Sequence, residues 1–167
     1  MNNPLISSAT LIILAVITVI LINFIINKLF ANTIKYEDNK LSFSLLKAGV
    51  IFSFFTILIA IKIPYYRLID IIASTQNGSQ LNLNVISYLT LFLFIGFIIF
   101  SINYLITSFL YKIILNGESL VKSLKENIKP NILLFCSILL GFCFLSQSIY
   151  PDILDLIIPF PKTPIFR

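Results

Sequence analysis

The sequence predicts an all-α polytopic membrane protein with four transmembrane helices. Composition is the first sign: 58% of the 167 residues are hydrophobic and only 11% are charged, with a mean hydropathy of +1.00, far outside the range of soluble domains. Charge placement is the second. Residues 1–27, 48–61, 71–111 and 130–151 carry no charged side chain. The third is length. A hydrocarbon core of about 30 Å needs about 20 apolar residues in a helix, and residues 6–30, 43–61, 85–106 and 132–149 supply four such runs. A soluble helix would show a charged outer face, and these runs show none at any angle.

The first run, 6–30, follows a short uncharged N-terminal segment. It has no positive n-region and no small-residue cleavage motif, so it reads as a retained helix and not as a secretory signal. The second run, 43–61, is expected to end or kink at Pro64, which cannot continue a helical hydrogen-bond ladder. Tyr65 and Tyr66 follow it, and amphipathic rings prefer headgroup depth. A polar, uncharged outer loop over 71–84 leads into the third run, 85–106. Residues 118–129 read as an amphipathic interfacial helix. Leu120, Val121, Leu124 and Ile128 share one face, while Lys122, Lys125, Glu126 and Lys129 point elsewhere. Pro130 suits the first turn of the fourth helix, where its missing N–H would be unpaired in any case.

Orientation follows from the lysines. Lys28, Lys35, Lys40 and Lys47 lie between helices one and two, and Lys112, Lys122, Lys125 and Lys129 between helices three and four. The other side holds Lys62, Arg67, Lys162 and Arg167. The positive-inside rule places both lysine-rich loops in the cytoplasm and both termini outside. Lys47, Lys62, Lys122, Lys125 and Lys129, with Tyr65 and Tyr66, are the expected lipid-headgroup contacts. The lysines extend their stems along apolar surface and keep their charge at the interface.

The chain divides into residues 1–78, helices one and two, and 79–167, helices three and four with a Pro-rich tail from Pro159 to Pro164. Both halves run apolar helix, lysine-rich loop, apolar helix, proline near tyrosine and a short Asp-containing apolar piece. Aligning Asp70 with Asp155 offsets the halves by 85 residues (155 − 70). Two helices per half would make this a parallel repeat. Ile/Leu-rich text also aligns with itself by chance, so the repeat stays one of two readings here.

The composition excludes much chemistry. Without histidine there is no imidazole base and no bis-His haem ligation. No Gly-rich phosphate loop appears, no cofactor is implied, and basic residues are not interleaved with aromatics as a nucleic-acid surface requires. Cys136 and Cys143 lie about two turns, or ~10 Å, apart on one helix, too far for a disulfide. They read as small apolar fillers, not as a metal site. The candidate polar residues at membrane depth are Asn103, Asn23 and Asn27. One reading lines a path with them, and the other has them hydrogen-bonding between helices. Arg67 and Asp70 are spaced for pairing on one helix, whereas Asp152 and Asp155 repeat that spacing with no cation. Gly49, Gly96 and Gly141 offer small surfaces for close helix approach.

The expected role is therefore a non-catalytic integral membrane protein, a scaffold or accessory subunit that packs with itself or a larger membrane complex and contacts lipid. The alternative is a small transporter or channel subunit with a polar path near Asn103 and Asn23. The segments 35–40 leading to Ala48 and Gly49, and Gly117–Leu120 through Glu126, Asn127 and Asn131 to Gly141, resemble the YjfL-type bacterial inner-membrane proteins, built from tandem two-helix units. This chain departs from them in its fewer alanines and glycines and its Pro-rich tail. The resemblance implies a bacterial inner (cytoplasmic) membrane, with the mitochondrial inner membrane the alternative location, and it implies no catalytic residues.

Overall fold

The computed structural model describes the backbone of residues 4–30, 40–75 and 79–158, and side chains over 9–30, 40–72 and 84–158. Lys35, Lys162, Arg167 and the Pro-rich tail lie outside the described residues. The described residues are helical apart from short turns: α1 (Pro4–Phe30), α2 (Lys40–Ala60), α3 (Lys62–Thr75), α4 (Ser79–Ile114), α5 (Leu120–Lys125) and α6 (Lys129–Asp155). Four stretches among them are long and apolar enough to cross a membrane: Ala9–Phe30, Lys40–Ile72, Asn84–Ile114 and Lys129–Asp155.

Two segments differ from those the sequence predicts. The expected outer loop over 71–84 is largely helical. α3 runs to Thr75 and α4 begins at Ser79, because uncharged Gln, Leu and Asn side chains do not stop a helix as Pro or Gly would. The expected interfacial helix over 118–129 shrinks to α5. Ser119 caps it by accepting from the Lys122 amide at 3.2 Å, and Asn127 at φ 55° turns the chain out of helix, as Asn tolerates better than most residues. The apolar face of α5 also packs inward. Leu120 and Leu124 are buried against the bundle. The break near Pro64 does occur. The turn at Ile61 separates α2 from α3, which places the proline in the first turn of α3, where no intrahelical N–H is needed. Pro130 likewise starts α6, and Pro151 lies inside it.

α2 and α6 form the centre. Contacts climb together along the α2–α3 span and α6, from Ser42 with Asn127 just before α6, through Gly49 with Cys136, to Arg67 of α3 with Asp155, so α2 and α6 run parallel and nearly in register. Gly49 makes the approach possible: a Cβ there would sit 2.3 Å from the Cys136 sulfur. Gly96 plays a similar part in α4, where a Cβ would meet the Tyr150 hydroxyl at 3.0 Å. Gly141 has nothing within 4 Å and serves no approach. α4 packs on α6, α1 rests on α2, and α3 bridges α2, α4 and α6. The core between them is built of Val50, Phe54, Ile57, Phe92, Phe135 and Leu139, with Phe54 meeting Phe97 and Phe100 at ring separations of 4.8 and 5.2 Å.

Burial repeats along the chain. The buried positions Thr18, Ile22 and Ile26 of α1 correspond to Asn103, Thr107 and Tyr111 of α4, each pair offset by 85 residues (103 − 18, 107 − 22, 111 − 26). The same offset carries Val50 onto Phe135, Phe54 onto Leu139 and Tyr65 onto Tyr150, all buried.

Candidate functional site: the buried polar seam

Side-chain hydrogen bonds between helices concentrate where α4 meets α6. Asn103, 5% exposed, donates from Nδ2 to the Ser146 hydroxyl at 2.8 Å, and that hydroxyl donates back to Asn103 Oδ1 at 3.2 Å. The Cys143 sulfur lies 3.7 Å from the same Nδ2. In hydrocarbon such a reciprocal pair has no water to compete with it, although its net worth is still only about 0.6–1.7 kcal/mol. One turn on, Thr107 is fully buried and its hydroxyl has no hydrogen-bond partner. A further turn brings Tyr111, whose hydroxyl lies 2.6 Å from Ser123 Oγ. Residues 103, 107 and 111 share a face because the helix repeats every 3.6 residues.

The seam continues in both directions. At the lysine-rich end, Asn131 donates to Ser123 at 3.4 Å and to Glu118 at 3.3 Å. Glu118 also accepts from Lys122 at 3.0 Å, and that bond and charge hold the Lys122 ammonium above its ordinary pKa. The link between halves here is the Ser42 hydroxyl donating to Asn127. At the opposite end the buried Tyr150 hydroxyl donates to the Phe92 carbonyl, tying α6 to α4.

The first half also buries Thr18, Ser42 and Ser53, but Thr18 and Ser53 bond back to carbonyls of their own helices. Thr18 turns its hydroxyl back to the Leu14 carbonyl at 2.8 Å and spans no interface. Asn23 and Asn27 are half-buried on α1 and do not meet Asn103, which faces α6. Tyr65 lies 3.1 Å from Thr10 across α3 and α1. This corrects its expected place at the headgroups, because a ring 2% exposed packs against protein. Tyr66 beside it is half-buried, with ring centroids 5.9 Å apart. Arg67 pairs with Asp155 and not with Asp70; the cation expected to be missing from the second half is supplied by the first.

Among the remaining headgroup candidates, Lys62 and Lys129 begin α3 and α6, and Lys122 and Lys125 lie on α5, all four exposed. Lys47, two turns into α2, is half-buried with its Nζ 4.7 Å from the Phe43 ring centroid. The sequence singled out Asn103 by its depth alone. Ser146, Thr107 and Tyr111 were missed, although their fourfold spacing from Asn103 or on the facing helix was there to be read.

Fold and seam together define a multi-pass helical membrane protein whose buried polar groups join helix to helix. No family model matches the chain, and neither a curated protein nor a solved structure is significantly similar to it.

Proposed function

We propose that the chain is a non-catalytic integral membrane protein that works by packing, as a scaffold or accessory subunit joined laterally to copies of itself or to a larger membrane complex. The observation that carries this reading is the use of the deep polar groups. Asn103, Ser146, Tyr111, Ser123, Tyr150 and Tyr65 are all engaged in bonds between elements of the bundle, which holds a shape and exposes no reactive group. Outer faces rich in Ile12, Ile20, Phe24, Phe94 and Phe109 suit partner helices as well as lipid. The shared 85-residue offset in burial supports a tandem two-helix repeat related by an axis between α2 and α6. The lysine bias supports a cytoplasmic placement for the α1–α2 and α4–α6 connections, in keeping with the resemblance to YjfL-type proteins.

Purification in mild detergent followed by mass determination tests the reading. A stoichiometric partner or a homo-oligomer is the expected result, and a lone monomer at all protein concentrations contradicts it.

The unpaired Thr107 hydroxyl favours a second reading, a narrow polar path along the α4–α6 seam in a small transporter or channel subunit. That reading predicts ion flux in reconstituted vesicles that Asn103→Leu reduces. Flux that is absent or unchanged in the variant removes it.

A further inference from the structure

The open side of α1 carries more than a packing role. α1, α2 and α4 enclose an apolar groove of about 320 Å³, lined among others by Ile26, Leu29, Val50, Phe97, Tyr104 and Leu105. We propose that this groove holds one acyl chain of an anionic glycerophospholipid, with its phosphate held by Lys28, Lys47 and Lys112. The inference is independent of the packing function proposed above and rests only on membrane insertion.

Length argues for a single chain. On α4 the lining runs from Phe97 to Leu105, about 12 Å at 1.5 Å per residue, close to one leaflet of a hydrocarbon core about 30 Å thick. A partner helix would need a groove crossing both leaflets and wide enough for a body about 10 Å across. The groove also sits in the lysine-rich half. It ends on α1 beside Phe30, which meets Phe43 ring to ring at 6.2 Å.

Charge argues for an anion. Each of the three helices brings at least one lysine to this end, α2 carrying Lys40 as well as Lys47. Lys28 adjoins Leu29, Lys47 lies over the Phe43 ring at 4.7 Å, and Lys112 is on the α4 stripe two turns beyond Leu105, since seven residues return to the same face. No carboxylate occurs in α1, α2 or α4, and the ion pairs Arg67–Asp155 and Lys122–Glu118 lie elsewhere. Three ammonium groups from three helices, around an apolar slot one leaflet deep, match a phosphate with its acyl chain below it.

Native mass spectrometry of the full chain in mild detergent, titrated with phosphatidylglycerol or with phosphatidylcholine bearing the same acyl chains, tests the site. One phosphatidylglycerol is expected to bind at least tenfold tighter than phosphatidylcholine. The triple variant Lys28→Ser, Lys47→Ser, Lys112→Ser should lose that preference, and Lys62→Ser at the opposite end should keep it. Leu105→Trp, which fills the slot, should abolish binding of both lipids. Equal binding of the two lipids by the wild-type chain overturns the proposal, as does an unchanged preference in the triple variant. A homodimer that only Leu105→Trp dissociates overturns it as well, by assigning the groove to a second copy.

Discussion

The two halves match in burial at several positions 85 residues apart and differ in how their first helices are held. α4 is fastened to α6 by Asn103 with Ser146 and Tyr150 with the Phe92 carbonyl, and to α5 by Tyr111 with Ser123. α1 leans on α2 through apolar contacts, with grooves along residues 11–15 and 22–30, and Thr10 meets Tyr65 across α1 and α3. The difference lies in two positions, Asn103 and Tyr111, since the Thr107 hydroxyl between them bonds to nothing. Where α4 has Asn103, Thr107 and Tyr111, α1 has Thr18, Ile22 and Ile26. Apolar contact in a bilayer gains little from the hydrophobic effect, because lipid tails are as apolar as the helices. Polar side chains at the same depth therefore close one half, and their absence leaves the other half open.

Breaking the shared centre should have the largest effect. Gly49→Ala drives a methyl into Cys136 and should destabilise the bundle by about 1–3 kcal/mol in denaturant titration in bicelles. Gly141→Ala faces open space and should cost nothing. If both variants unfold alike, α2 and α6 do not meet as described. The contrast between halves comes next. Asn103→Leu should cost about 0.6–1.7 kcal/mol, whereas Asn23→Leu on α1 should stay within about 0.5 kcal/mol. Equal losses would erase the distinction between seam and groove.

Tyr150→Phe removes a bond from a buried hydroxyl and should cost about 0.5–1.5 kcal/mol, with Tyr65→Phe no larger. A bigger loss at Tyr65 would make α1 the better-held helix. The smallest effect belongs to Arg67→Ala. Its pair with Asp155 joins side chains 59% and 31% exposed, so the loss should be under about 1 kcal/mol and should vanish in high salt. A large loss independent of salt would mean that this pair locks the halves together.

Much of the fold was legible because a bilayer imposes it. Uninterrupted apolar runs gave the four spans, and Pro64 and Pro130 marked a break and a start that the helices keep. What escaped the sequence was contact between elements. Nothing in Tyr65 distinguishes a ring at the headgroups from one facing Thr10, since both suit an amphipathic side chain. Arg67 has Asp70 three residues away, yet the parallel register of α2 and α6 brings Asp155 within reach. The end of the helix expected over 118–129 turned on the left-handed Asn127, and residues 71–75 and 79–84 of the expected polar loop are helical because they contain no Pro or Gly. Asn103 was legible as a deep polar group, while its partner Ser146 depended on which helices are neighbours.

The central claim is that α1 is the loosely held helix and that α4 is locked to α6. Forced unfolding of single full-length chains in bicelles, pulled from both ends, tests it most directly. The account predicts that α1 leaves first, alone and at low force, and that α4 and α6 come apart later in one step that Asn103→Leu weakens. Release of α4 before α1, or of all four spans in a single step that Asn103→Leu leaves unchanged, would contradict it.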